Sequence, residues 1–330
     1  FLQHDRSCLY LGGGDLSDSR LEEDGGRRAK PLGYALTSLW KPTTVAAPGS
    51  RTAFPTHKTG VFRSAVLYGI QDTANVYLDP DLAAERALHY VEQGFTAVKF
   101  DPVGPYSAFD PRQLNLEALD RSEKFVKTIR DAVGSRCDML FGTHGQMTPS
   151  SAIRLARRME KYDPLWFEEP VPPENAEEMA RVARSTTIPI ATGERLASKY
   201  EFTAILQKQS ASILQPALGR SGGILEAKKI AGIAEAYYAQ IAPHLYCGPI
   251  EAAANIQLDT CSPNFLIQES IETLCGFHAE ILKKPIQWEQ GYIIPPTDPG
   301  LGVELDEEVA NKHPYTGNQL HLEMTDHPVY

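Results

Sequence analysis

The chain has 330 residues, of which 42% are hydrophobic and 22% charged, and it carries a formal net charge of −10. That length and composition can bury a large core, while the acidic balance, with no stripe of Lys and Arg, excludes a nucleic-acid partner. No apolar run approaches membrane-spanning length and the first residues lack a basic-then-apolar signal, so no membrane association is expected.

Residues 1 to about 60 scatter glycine, proline and charge (Gly12-Gly13-Gly14, Gly25-Gly26-Arg27-Arg28, Ala47-Pro48-Gly49) without helical or strand periodicity, which predicts mostly irregular structure. Only Tyr34 to Trp40 is apolar enough to dock as a helical turn or strand. From Ser64 onward, units alternate. Strands are expected at 65–70, 97–100, 138–141, 165–167, 188–191, 212–214, 240–242 and 265–268, separated by helices at 80–93, 115–133, 149–161, 174–184, 199–207, 223–237 and 249–259. Leu116, Leu119, Phe125, Val126 and Ile129 recur at helical spacing in the second helix. Eight strands with seven helices between them describe an α/β fold of the (β/α) barrel type, a TIM-type barrel in modified (β/α)7β form. The competing doubly wound sheet lacks its glycine-rich phosphate turn after the first strand.

Barrel enzymes assemble their chemistry where the strands end, at the C-terminal rim. Those exits read Lys99 and Asp101 after the second strand, Thr143 and His144 after the third, and Glu168 and Glu169 after the fourth. Glu194 follows the fifth, Gln215 the sixth, His244 the seventh and Glu269 the eighth. A buried apolar strand that finishes in an unpaired carboxylate is costly. For one Glu, a rim pair with Arg195 or a lysine explains it; acids at equivalent positions of successive strands point to a site. Glu168 and Glu194 suit a hard divalent cation, because magnesium takes a few carboxylates and fills its remaining positions with water and substrate oxygens. His244, with an ordinary pKa of about 6.5, suits a general base or acid. Lys99 suits stabilisation of an anionic substrate, a base if its pKa is lowered, or a rim salt bridge. His144 is open as ligand, acid or substrate contact, and Asp101, Gln215 and Arg195 are expected to touch substrate. The five cysteines (Cys8, Cys137, Cys247, Cys261, Cys275) are widely spaced with no Cys-x-x-Cys pair. Neither a disulfide framework nor structural zinc is indicated, and a reducing cytoplasm fits.

The Glu168-Glu169-Pro170 run, Gly193-Glu194-Arg195, Gln215-Pro216 with Gly222-Gly223, the His244 exit and Gln268-Glu269 together resemble the enolase superfamily, mandelate racemase subgroup. The likeness is strongest to galactonate dehydratase and related acid-sugar dehydratases and cycloisomerases. It covers roughly residues 64 to 310, through Gly291-Tyr292-Ile293-Ile294-Pro295 and Pro299-Gly300-Leu301-Gly302-Val303-Glu304. The resemblance implies a Mg2+ cofactor and a small-molecule sugar acid whose α-proton is removed to an enediolate before a β-substituent leaves. It matches Glu168 and Glu194 to metal ligands, His244 to the seventh-strand base or acid, Glu269 to the oxyanion-side glutamate, His144 to the dehydratase acid, and Lys99 to the first lysine of a Lys-x-Lys pattern. It also implies a homo-oligomer.

Three positions and the N-terminal stretch depart from the family pattern. The first metal-ligand Asp is replaced by Gly142, so His144 or water completes the set, or Asp138 reaches in from the strand's start. Ala217 stands where an Asp orients the seventh-strand histidine, leaving His244 without that partner. Asp101 takes the second lysine position. The N-terminal stretch is too short for the family's cap domain. The expected organisation is an irregular segment over 1–63, a barrel over 64–284 and a tail over 285–330 packing back toward the cap. The leading expectation is a magnesium-dependent acid-sugar dehydratase. The alternatives are a cycloisomerase of an anhydro-sugar or lactone acid, and a catalytically impaired barrel.

Overall fold

The computed structural model describes the backbone of residues 62–67 and residues 79–103, 111–271 and 273–314. The expected irregular segment therefore lies, apart from its last two residues, outside the described residues. The parallel strands are β1 (Phe62–Leu67), β2 (Ala97–Phe100), β3 (Asp138–Gly142), β4 (Trp166–Glu168), β5 (Ile190–Thr192), β6 (Ile213–Leu214), β7 (Gln240–Ile241) and β8 (Gln268–Ser270). Between them run α1 (Pro80–Glu92), α2 (Leu116–Val133), α3 (Pro149–Met159), α4 (Ala176–Ala183), α5 (Lys199–Gln207), α6 (Gly223–Ala236) and α7 (Pro249–Thr260). Strands pair in sequence order from β1 to β7, β8 pairs in parallel with β1, and Ile241 bridges Phe265 just ahead of β8. This is the α/β architecture of a TIM barrel.

Local chemistry starts the helices where the strands require them. Asp79 accepts from Asp81 and Leu82 N–H groups at the head of α1, with Pro80 at the first helical position. Asn115, Thr148 and Asn175 cap α2, α3 and α4 in the same way, and Ser198 with Glu201 forms a capping box on α5. Each side chain satisfies backbone donors that the first turn leaves orphaned.

Alternation along the strands sorts their side chains into two layers. Val98, Phe100, Met139, Phe141, Phe167, Ile190, Leu214 and Ile241 pack with the helices in the main core. The rings of Phe100, Phe141 and Phe167 follow one another at 5.5 and 6.1 Å between centroids. A separate cluster takes one residue from each of β2 to β8 or its edge: Ala97, Leu140, Trp166, Ala191, Ile213, Ala242 and Ile267. These seven plug the barrel interior. Two residues further along each strand, on the same inward side, stand Lys99, Gly142, Glu168, Gly193, Gln215, His244 and Glu269. The plug is thus the floor on which the rim residues stand.

Several expected boundaries move. The first strand begins at Phe62 rather than 65, and the last ladder spans Gln268–Ser270 rather than 265–268, with only a bridge at Phe265. The sequence around 285–294 forms a hairpin, β9 (Gln287–Glu289) and β10 (Tyr292–Ile294), turned by Gln290 and Gly291, both at positive φ. That is the backbone of a two-residue hairpin turn whose twist matches its strands. β10 pairs antiparallel with the start of β1, Phe62 opposite Ile293. Gly291 lies against Gly94, where a Cβ on either would come within 2.4 Å of the other turn's backbone. Two short helices, α8 (Phe277–Glu280) and α9 (Glu307–Lys312), complete the described chain. No helix among the described residues is long and apolar enough to cross a membrane.

Candidate active site

Of the nine side chains expected at the rim, six converge directly. Lys99 Nζ lies 2.7 Å from Glu168 and 2.5 Å from Glu269, with all three side chains at most 2% exposed. His244 Nδ1 is 2.8 Å from Glu269 Oε2 and 3.4 Å from Glu194 Oε2, and His144 Nε2 is 4.0 Å from the same Glu194 oxygen. Gln215, expected to touch substrate, instead donates to Glu168 Oε2 at 2.7 Å and orients that carboxylate.

The remaining two are drawn elsewhere. Arg195, also expected at the substrate, directs its Nε to Glu169 at 3.0 Å and its NH1 to Glu174 at 3.4 Å. It serves as the counter-charge of the second acid in the Glu-Glu-Pro run, the rim pairing that composition alone allows for a single Glu. Asp101 accepts from Gln146 Nε2 at 2.5 Å and from the Val103 N–H at 2.8 Å. Burial raises its carboxyl to about 7.

The electrostatics follow from burial set against neighbouring charge. Burial pushes Lys99 down, but Glu168 and Glu269 outweigh it and leave its pKa above the ordinary lysine value. Lys99 is thus held as a cation between two carboxylates, whereas a role as a base requires a lowered pKa. Burial opposes the charged ring of His244, yet Glu269 and then Glu194 raise it to about 9. His144 moves the other way, lowered by burial. Burial raises Glu169 to about 8, with the charge of Glu194 adding to it. Glu194 falls to about 2, because the two histidines and Lys99 outweigh its burial.

With Ala217 in place of a carboxylate, the partner of His244 is Glu269, reached from the next strand rather than from the preceding one. Asp138, the first residue of β3, starts the strand that Gly142 ends and stands at the opposite end from the rim. Residues outside the nine site candidates hold this frame. Asn255 on α7 donates to the His244 carbonyl at 3.1 Å, Arg220 to the Glu194 carbonyl at 2.9 Å, and Gln268 to the carbonyls of Pro243 and Glu269. Except for the bond from Gln268 to its neighbour Glu269, each acts on a backbone oxygen 11 to 26 residues away, so no local pattern announces it. The β3 and β4 exits are tied together as well. Gly145 N–H donates to the Glu169 carbonyl at 2.7 Å and Thr143 Oγ1 to the Glu168 carbonyl at 2.8 Å, while His144 and Glu169 both hold left-handed φ. Backbone strain of that kind persists only where surrounding contacts fix it.

For a metal, two carboxylates are available. Among the described residues Glu194 Oε2 is buried and accepts no hydrogen bond, while Glu168 already accepts from Lys99 and Gln215. No group of three or more such ligands is assembled among the described residues. One or two carboxylates with water and substrate oxygens are the usual complement of magnesium, so the pair fits that ion.

Residues 82–309 match the family model described as enolase C-terminal domain-like. A D-xylonate dehydratase of Haloferax volcanii is 35% identical over 262 residues, covering 76% of this chain and 64% of that protein. A D-galactonate dehydratase of Ralstonia nicotianae is 43% identical over 202 residues, 58% of this chain and 52% of that protein. The chain thus spans between half and two thirds of the length of these curated relatives. A solved structure of a candidate mandelate racemase/muconate lactonizing enzyme from Burkholderia SAR-1 is 62% identical, with a TM-score of 0.78 over 82% of this chain and 68% of that one. Over its barrel, this chain belongs to the enolase C-terminal domain-like family of mandelate racemase and muconate lactonizing enzyme relatives.

Proposed function

We propose that the chain carries the catalytic barrel of a magnesium-dependent acid-sugar dehydratase, a carbon–oxygen lyase that removes the proton α to a carboxylate and expels a β-hydroxyl to give a 2-keto-3-deoxy sugar acid. The observation that carries the reading is the His244–Glu269 contact of 2.8 Å, set at the rim beside Glu194. A histidine whose Nδ1 is held by a carboxylate has its ring orientation fixed and its basicity strengthened, as removal of a weakly acidic carbon proton demands. The names of the curated relatives point to the same substrate class.

Glu168 and Glu194 would hold the magnesium, with Gln215 orienting Glu168. Bound there, the ion supplies positive charge to the negative charge that develops as the proton leaves. Lys99 adds a fixed cation to the same end of the pocket. Glu269 serves His244 directly and, through the Leu245 N–H donating to its Oε2 at 2.7 Å, also anchors the β7 exit. To expel water, His144 would enter the step protonated, beside Glu194 at 4.0 Å, and leave it neutral, while His244 takes up the α-proton. The fold reading extends to a (β/α)7β barrel, and assembly as a homo-oligomer in the cytoplasm fits the same reading.

The test is a screen of aldonates, aldarates and anhydro-aldonates with Mg2+ in deuterated water. A 2-keto-3-deoxy product from an open-chain acid is expected, and ring opening of an anhydro acid would move the reading to a cycloisomerase. His244→Asn should lower α-proton exchange by about 10²–10⁴-fold, the usual contribution of a positioned base. No turnover in the screen, together with no magnesium binding that Glu168→Gln removes, would overturn the reading.

A further inference from the structure

Lys99 reaches its partner by an unusual route. It stands on β2, and Glu168 stands on β4, with β3 between them. The β3 residue directly beside Glu168 is Gly142. A Cβ at that position would come 2.7 Å from Lys99 Cε and 3.7 Å from its Cγ. The bare glycine is the passage through which the lysine crosses a strand. At the far side its ammonium bonds two carboxylates, Glu168 at 2.7 Å and Glu269 at 2.5 Å, in a region closed to solvent. The third carboxylate of the cluster, Glu194, is buried, and among the described residues its Oε2 accepts no hydrogen bond.

Three buried carboxylates cannot stand without positive charge. Gly142 removes one possible anion from the cluster and admits a cation in the same move. A divalent ion approaching Glu168 meets that ammonium at a few ångström in a poorly screened interior, where like charges repel strongly.

We propose that Lys99 is the resident cation of this carboxylate cluster, lodged through the gap at Gly142, and that a divalent metal ion binds Glu168 only in competition with it. This rests on the metal assignment proposed above, and it makes the polypeptide supply part of the charge that such a site otherwise draws entirely from metal.

Two variants test it. Lys99→Met removes the charge while keeping an unbranched apolar stem. Gly142→Ala keeps the charge but places a Cβ against Lys99 Cε, a flexible atom that can yield by moving away from Glu168. Calorimetric titration with Mn2+ and Mg2+, together with thermal melts in EDTA and in excess Mg2+, provides readouts independent of turnover. Lys99→Met is expected to melt lower than the parent in EDTA, to regain stability in Mg2+, and to bind Mn2+ at least tenfold more tightly. Gly142→Ala is expected to bind more tightly than the parent by a smaller factor. Should Lys99→Met fail to fold, the Gly142→Ala titration alone decides. Unchanged or weaker metal binding in the variants that fold overturns the proposal. The parent protein separates the two readings: a parent that binds metal while the variants show no gain leaves the metal assignment standing and removes the competition. A parent that binds none while Lys99→Met binds supports the competition and removes magnesium dependence of the parent. If nothing binds in any of them, both fall.

Discussion

Asp259, on α7, shows what a carboxylate costs when the chain gives it nothing. It is buried, neither carboxyl oxygen has a hydrogen-bond partner among the described residues, and burial raises its pKa well above the ordinary aspartate value. It also sits in the last turn of a helix, whose exposed carbonyls disfavour negative charge. Because the folded pKa is raised, its contribution to stability is intact below the unfolded value of about 3.9 and declines as pH rises toward the folded value. Asp259→Asn should therefore melt with the parent near pH 4 and above it at pH 7.5. The gap should approach the roughly 1–3 kcal/mol of an unsatisfied buried polar group. Parallel melting curves at every pH would show that Asp259 is relieved by a partner. The rim residues were legible because each has a functional side chain at a strand exit. Arg195 and Gln215 were legible as rim residues but not as supports, since their partners Glu169 and Glu168 are fixed by three-dimensional approach.

At the scale of elements, seven helices and seven of the eight parallel strands fall within a few residues of the expected spans, because helical spacing and apolar runs bounded by turn residues are local signals. Strand ends were less legible. β6 and β7 are two residues long, too short for any periodicity, and β8 is defined by its pairing with β1 rather than by its own composition. The β9–β10 hairpin was missed as an element because Gln290 precedes its glycine, where Asn or Asp would announce the turn. That turn carries its own prediction. Gly291→Ala must hold a side chain at φ 75° and 2.4 Å from the Gly94 backbone. The conformation alone costs about 1–3 kcal/mol, and the clash adds to it. A clear fall in melting temperature is expected, and an unchanged one would mean that the hairpin does not pack on the α1–β2 turn.

For the molecule as a whole, the barrel separates what holds it from what it does. Met179 on α4 packs in the layer between helices and strands, away from every rim residue. Met179→Ala should lower stability by about 2–5 kcal/mol, the cost of a large-to-small change in a core. Under the proposed dehydratase reading, turnover per folded molecule should stay unchanged. A matching fall in turnover would mean that the helix layer positions the rim directly.

The plug of seven inward residues has a consequence for insertions and deletions. Lys99, Glu168, Gln215, His244 and Glu269 share the inward side of their strands because each lies two residues from the plug, at Ala97, Trp166, Ile213, Ala242 and Ile267, whereas Glu194 follows Gly193 three residues past Ala191. Substituting the residue between them changes the helix-facing layer and leaves the rim aimed as before. Deleting that residue turns the rim side chain outward into the apolar layer with its chemistry unaltered. The site is thus written in parity: its strands can tolerate many exchanges of one residue for another, and almost no change of length by one.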